Sequence, residues 1–189
     1  MRARRSELQE ESVSSECAFT GRLINVRVDT VRLPSGRTTT REVVEHRGAV
    51  AIVPMLDHRQ VALVKQYRRP ADKVLLEIPA GTLDADESPE ACAQRELTEE
   101  TGYRAGRMLP LYRTYLAPGY STEMLHCFLA LDLTPATGRP DLDEQIEVQV
   151  IGLEEAEAMA VRGEIEDAKT LCGLLMARLA LERAAAGTP

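Results

Sequence analysis

The stretch at residues 81–103, GTLDADESPEACAQRELTEETGY, constrains the fold more than any other part of the chain. Ser88-Pro89-Glu90 is a helix start: serine caps the first free amides, proline suits the first helical position, and a carboxylate suits the positive end of the dipole. Gly102 supplies the stop, because glycine takes the left-handed conformation that ends many helices. A helix is therefore predicted from there to about Thr101. On it Glu96 and Glu100 are four residues apart and share a face, with Glu99 beside them. Carboxylates packed this closely repel one another unless a cation intervenes, and hard oxygen donors at this density suit Mg²⁺ or Mn²⁺. Taken alone, a Glu-rich helix with Arg95 four residues before Glu99 reads more simply as a solvated face with an ion pair.

The flanking pattern is mostly strand. Residues 48–54 and 61–67 are short apolar runs parted by the turn Asp57-His58-Arg59-Gln60, and 75–78 is another, closed by Pro79-Ala80-Gly81. Strands are expected near 108–113, 124–133 and 146–151. Helices follow near 153–162 and 167–186, the second with Leu171, Leu174, Leu175 and Leu179 on one face. At the front, residues 1–16 are polar and charged without periodicity, so a disordered tail is expected. Residues 17–33 alternate in part, 34–37 signal a turn and 38–45 are rich in β-branched residues, which reads as a β-hairpin. The fold class is α+β and not a doubly wound sheet. The expected division is a tail at 1–16, an N-terminal β region at 17–46 and one catalytic-sized domain at 47–186.

Charge narrows the partners. A formal net charge of -7 disfavours a nucleic-acid phosphate backbone, and a small phosphate ligand would need a metal to supply positive charge. Cys17, Cys92, Cys127 and Cys172 lack the short paired spacing of a zinc site, so reduced thiols in the cytoplasm are expected. The basic start at 1–5 has no apolar run behind it, so no secretory signal is expected, and no run reaches the length of a membrane span.

The spacing within 81–103 resolves the ambiguity of the Glu-rich helix. Gly81 is followed after five residues by Glu87, and after seven more by Arg95-Glu96-Leu97. One residue on come Glu99-Glu100, and after another Gly102 with Tyr103. A chance match to so long a pattern in a chain of this size is on the order of 10⁻⁷. It resembles the Nudix box with every defining position filled. The resemblance implies a Nudix fold, an α/β/α sandwich with a mixed sheet, in which the box forms a loop, helix and loop. It also implies metal ligation by Glu96, Glu100 and the backbone carbonyl of Ala80. Glu99 matches a neighbouring carboxylate that is a ligand or base in some members, and Glu87 and Arg95 match positions that hold loop and helix together.

The resemblance extends over roughly residues 18–180 and is closest to the ADP-ribose pyrophosphatase subfamily. QYR at 66–68, LEIPAG at 76–81 and APGYSTE at 117–123 carry it, with Pro118 the subfamily marker. It implies hydrolysis of ADP-ribose to AMP and ribose 5-phosphate, and substrate contacts from Arg68, Glu77, Pro118, Gly119, Tyr120 and Glu123. The stretch DEQIEV at 143–148 resembles the acidic loop that supplies a base. Leu142 interrupts the acidic run here, which leaves Glu144 as the first choice and Asp143 as the second. The front β region also fits that subfamily, and the resemblance implies a homodimer. Two rivals stand beside this reading: a pyrophosphatase for another nucleotide sugar such as GDP-mannose, and an ADP-ribose sensor without turnover. The intact carboxylate set argues against the sensor.

Overall fold

The computed structural model describes residues 8–138 and 145–187. The chain forms two units, one made of Met1–Arg47 with Tyr115–Met124, the other of Gly48–Thr114 with Leu125–Pro189. No linear cut gives this division, because the excursion at Tyr115–Met124 belongs with the N-terminal strands.

The first unit carries an antiparallel sheet of three strands in the order β1 (Glu11–Thr20), β2 (Asn25–Arg32) and β3 (Thr38–Glu45). The β2–β3 turn closes where Gly36 adopts a φ of 85°, with Gly36 N–H donating to the Leu33 carbonyl at 2.9 Å. Two expectations are corrected here. The hairpin has a third strand, and residues 11–16, expected within the tail, lie in it. The reason is visible in what holds β1. It is exposed nearly throughout, and polar cross-strand pairs accompany its ladder with β2: Ser15 donates to Asp29 at 2.6 Å, and Arg32 meets Glu11 at 3.3 Å. A strand fixed this way shows no apolar alternation to read.

The second unit is built around β4 (Ala49–Pro54), every residue of which is buried. Its period of two sends Ala49, Ala51 and Val53 into a cluster with residues of β5 (Gln60–Arg68), α2 (Leu153–Val161) and α3 (Ala168–Ala185). Val50 and Ile52 point the opposite way, against Cys92, Ala93 and Leu97 of α1 (Pro89–Thr101). Helices thus cover both faces, and each fully buried Val, Leu or Ile contributes about 1.5–3 kcal/mol. The mixed sheet orders β7 (Ala80–Thr82), β4, β9 (Met124–Pro135) and β8 (Tyr103–Tyr115), with β4 and β9 parallel. A second sheet orders β10 (Ile146–Gly152), β5 and β6 (Lys73–Glu77), antiparallel throughout. This is the expected α+β sandwich.

The apolar face expected on α3 is another correction. Thr170, Gly173, Leu174 and Ala177 are buried, whereas Leu171, Leu175 and Leu179 are exposed. The helix docks closest at Gly173, where a Cβ would lie 2.8 Å from Ile78 Cδ1 and 3.2 Å from Val53 Cγ2. Small residues set the contact, and hydrophobicity alone does not register them.

Candidate active site

The site begins with how α1 is started and stopped. Ser88 sits in extended conformation and its hydroxyl accepts from Ala91 N–H at 3.2 Å, while Gly102, at φ 70°, donates to the Thr98 carbonyl at 3.0 Å. The buried stripe Cys92, Ala93, Leu97, Glu100 and Thr101 sets the rotation of the helix. Glu96 is thereby turned onto β7, where Gly81 alone leaves room for it: a Cβ there would lie 1.9 Å from Glu96 Oε1. Glu100 Oε2 accepts from Ala80 N–H at 3.1 Å. Ala80, Gly81, Glu96 and Glu100 therefore meet at one corner of the second unit.

Arg95 organises the remaining carboxylates. Its Nε and Nη2 reach both oxygens of Glu87, at 3.0 and 2.9 Å, and its Nη1 reaches Glu96 at 2.8 Å and Glu99 at 2.9 Å. The paired hydrogen bonds from Arg95 hold Glu87 at about 2, far below the usual carboxylate value and against the opposing effect of burial. The Glu87 link should be visible in acid. A group depressed from 4.5 to about 2 adds stability that is complete above the unfolded value and is lost as pH falls from there toward 2. The Glu87→Gln variant is expected to lose about 1 kcal/mol at neutral pH, because solvent screens a pair this close to the surface, and to show a flatter decline between pH 5 and 2, read by urea unfolding. Parallel pH profiles for the two proteins would show that the pair contributes nothing.

Three carboxylates (Glu87, Glu96 and Glu99) thus surround one guanidinium, and Glu100 stands beside Glu96 at Ala80-Gly81. Among the described residues, no three acidic, histidine or cysteine side chains converge closely enough to hold a metal as they stand. The donor chemistry nevertheless fits a divalent cation. Oxygen ligands are the kind that such cations take, and Arg95 Nη1 already places positive charge between Glu96 and Glu99. A single guanidinium leaves the cluster with surplus negative charge.

A second cluster adjoins the segment from Glu77 to Ala80. Glu77 is 1% exposed. Arg68 grips it with Nε at 3.0 Å and Nη2 at 2.8 Å, and Lys169 also donates to it. Burial alone would raise the Glu77 carboxyl, but the Arg68 hydrogen bonds and the Lys169 ammonium hold it below its ordinary value. Two of the five Arg68 donors are thus committed to protein, so a phosphate would meet the others. Lys169 was invisible in the sequence, as its partner lies 92 residues earlier. Asp167 was legible only as the start of a helix.

Pro118, Gly119, Tyr120 and Glu123 belong to the other unit. Their loop is stitched to the end of β3: Val44 N–H donates to the Tyr120 carbonyl at 2.7 Å, and Thr122 N–H donates to the Val44 carbonyl at 3.0 Å. Glu123 lies 3.9 Å from His46 Nδ1, a neighbour that the sequence did not flag. Arg68, Glu77, Ala80, Glu96, Glu99 and Glu100 are in the second unit. Asp143 and Glu144, with Asp141 and Leu142, lie outside the described residues.

A capped helix that sets its carboxylates against Gly81 of β7, on a mixed sheet covered by helices on both faces, is the arrangement of a Nudix hydrolase fold. Residues 45–173 match the NUDIX domain, and the chain belongs to that family. Residues 10–44 match the nucleoside diphosphate sugar hydrolase N-terminal domain. The chain is 40% identical over 165 residues to an ADP-ribose pyrophosphatase of Bacillus subtilis (strain 168), covering 86% of this chain and 89% of that protein. It is 38% identical over 152 residues to a GDP-mannose pyrophosphatase of Yersinia pestis (strain Pestoides F), covering 74% and 75%. A solved structure titled as an ADP compounds hydrolase superposes with a TM-score of 0.84 at 24% identity, over 95% of this chain and 98% of that one. That likeness concerns the fold. Nudix hydrolases generally use divalent metal ions.

Proposed function

We propose that this chain hydrolyses the pyrophosphate link of ADP-ribose, releasing AMP and ribose 5-phosphate. The observation that carries the reading is the complete box, with Glu96 and Glu100 brought to Ala80-Gly81, in a chain similar over most of its length to an ADP-ribose pyrophosphatase. Glu96, Glu100 and the Ala80 carbonyl hold Mg²⁺ or Mn²⁺, with Glu99 beside them. Such cations, when bound, neutralise a diphosphate and make water more acidic. Arg95 and Glu87 keep α1 and its preceding loop in register. Arg68 and Glu77 serve the substrate from β5 and β6, and Pro118, Gly119, Tyr120 and Glu123 match the substrate-binding segment of the subfamily. Glu144 takes the proton of the attacking water, with Asp143 the next choice.

The protein works as a homodimer in the cytoplasm. Val31 is the one apolar residue of the N-terminal unit buried among the described residues, while Val13, Phe19, Leu23 and Tyr120 are exposed. A three-stranded sheet with so little core needs another surface to cover it. Light scattering at micromolar concentration should give twice the chain mass, and a monomer removes this part of the reading. The four cysteines are unpaired, as cytoplasmic thiols are, and among the described residues no helix is long and apolar enough to cross a membrane.

The GDP-mannose pyrophosphatase relative keeps a second substrate in contention. A panel of ADP-ribose, GDP-mannose, ADP-glucose and diadenosine compounds, with Mg²⁺ and with Mn²⁺, decides by the nucleotide and phosphomonoester released. ADP-ribose should have the highest kcat/KM. A preference of more than about tenfold for another compound would overturn the choice.

A further inference from the structure

We infer that the first turn of α3, through Thr170 with Asp167 and Lys169, positions the segment from Glu77 to Ala80 that presents its backbone to the metal corner. The inference rests on the proposed reading of Glu96, Glu100 and Ala80 as the metal-holding group.

The geometry is a chain of contacts from one buried hydroxyl. Thr170 is fully buried, and its Oγ1 accepts from Ile78 N–H at 2.8 Å while donating to Asp167 Oδ2 at 2.5 Å. Asp167 Oδ2 also accepts from Thr170 N–H at 2.9 Å and lies 3.0 Å from Lys169 Nζ. Lys169 in turn donates to Glu77, the residue before Ile78. Two consecutive residues are thus tied to one helical turn, one by its side chain and the other by its amide. Two residues further on, Ala80 N–H donates to Glu100 of α1. Pro79 between them has no amide hydrogen, and its carbonyl accepts from Ile52 N–H at 2.9 Å. The segment is therefore held by α3 on one side, by β4 in the middle and by α1 at the far end. Most of the turn is needed for more than a helix cap: Asp167 alone caps α3, yet the Thr170 hydroxyl and the Lys169 ammonium are spent on the loop.

Thr170→Val is nearly isosteric and removes both hydroxyl contacts. It should weaken Mn²⁺ binding, measured by electron paramagnetic resonance without substrate, by about 10–100-fold. It should lower kcat for ADP-ribose by a similar factor with much less change in KM, and Thr170→Ser should restore both. Wild-type Mn²⁺ affinity and kcat in Thr170→Val would overturn the inference even if the melting temperature fell, since the contact would then serve stability alone. If Thr170→Val does not fold, Lys169→Met is read in the same way. Glu100→Gln, measured alongside, separates the two readings. Lost Mn²⁺ affinity there with none lost in the α3 variants sinks this inference by itself. Unchanged affinity in Glu100→Gln sinks the metal assignment, and this inference with it.

Discussion

Glu100→Gln is expected to lower kcat for ADP-ribose by about a thousandfold, equivalent to about 4 kcal/mol of transition-state stabilisation, while leaving the melting temperature close to that of the parent. The separation follows from the contact that the structure shows. Glu100 is buried and its Oε2 accepts from Ala80 N–H at 3.1 Å. Glutamine keeps an oxygen for that amide and occupies nearly the same volume, so packing and the local hydrogen bond persist. What it removes is the negative charge, which a divalent cation needs and an amide proton does not. Steady-state rates at saturating Mg²⁺, with a thermal melt on the same preparation, check both halves. Near-normal turnover would mean that this carboxylate holds no metal.

Gly81→Ala should be almost as damaging, through one methyl group. The added Cβ would stand 1.9 Å from Oε1, 2.0 Å from Cδ and 2.5 Å from Oε2 of Glu96. These atoms are the end of a flexible side chain, so the conflict is relieved by swinging the carboxylate away and not by moving backbone. Stability should therefore change little. Activity should fall by at least about a hundredfold, as expected when a reacting group is displaced by about 1 Å or more. The same displacement would strain the 2.8 Å contact between Glu96 and Arg95. Kinetics and unfolding of Gly81→Ala test this together. A folded variant with parental kcat would show that Glu96 does not need its place against β7.

Both expectations concern residues that a reader of the chain could find. Ser88, Pro89 and Gly102 carry local rules for starting and stopping a helix, and α1 obeys them. The runs that became β4, β5 and β9 were legible because strands buried on one or both faces need apolar residues. β1 was only partly legible, since ladder pairing and exposed polar contacts hold it in place of an apolar pattern. The docking face of α3 was misread for a related reason. Gly173 and Ala177 matter by being small, and smallness becomes informative only once Val53 and Ile78 are seen pressing against them.

The sequence by itself determined the α+β class, the extent of the carboxylate helix and the family, because local backbone preferences and a long spaced pattern act through neighbours in the chain. Only the tertiary structure decided that Glu77 would be held by both Arg68 and Lys169, and that Thr170 would bind the amide of Ile78. It likewise assigned the loop containing Pro118 and Tyr120 to the N-terminal strands. Apart from the Arg68–Glu77 pair, nine residues apart, these contacts span tens of residues. A charged or hydroxyl side chain carries no mark of its partner until burial removes water as the alternative.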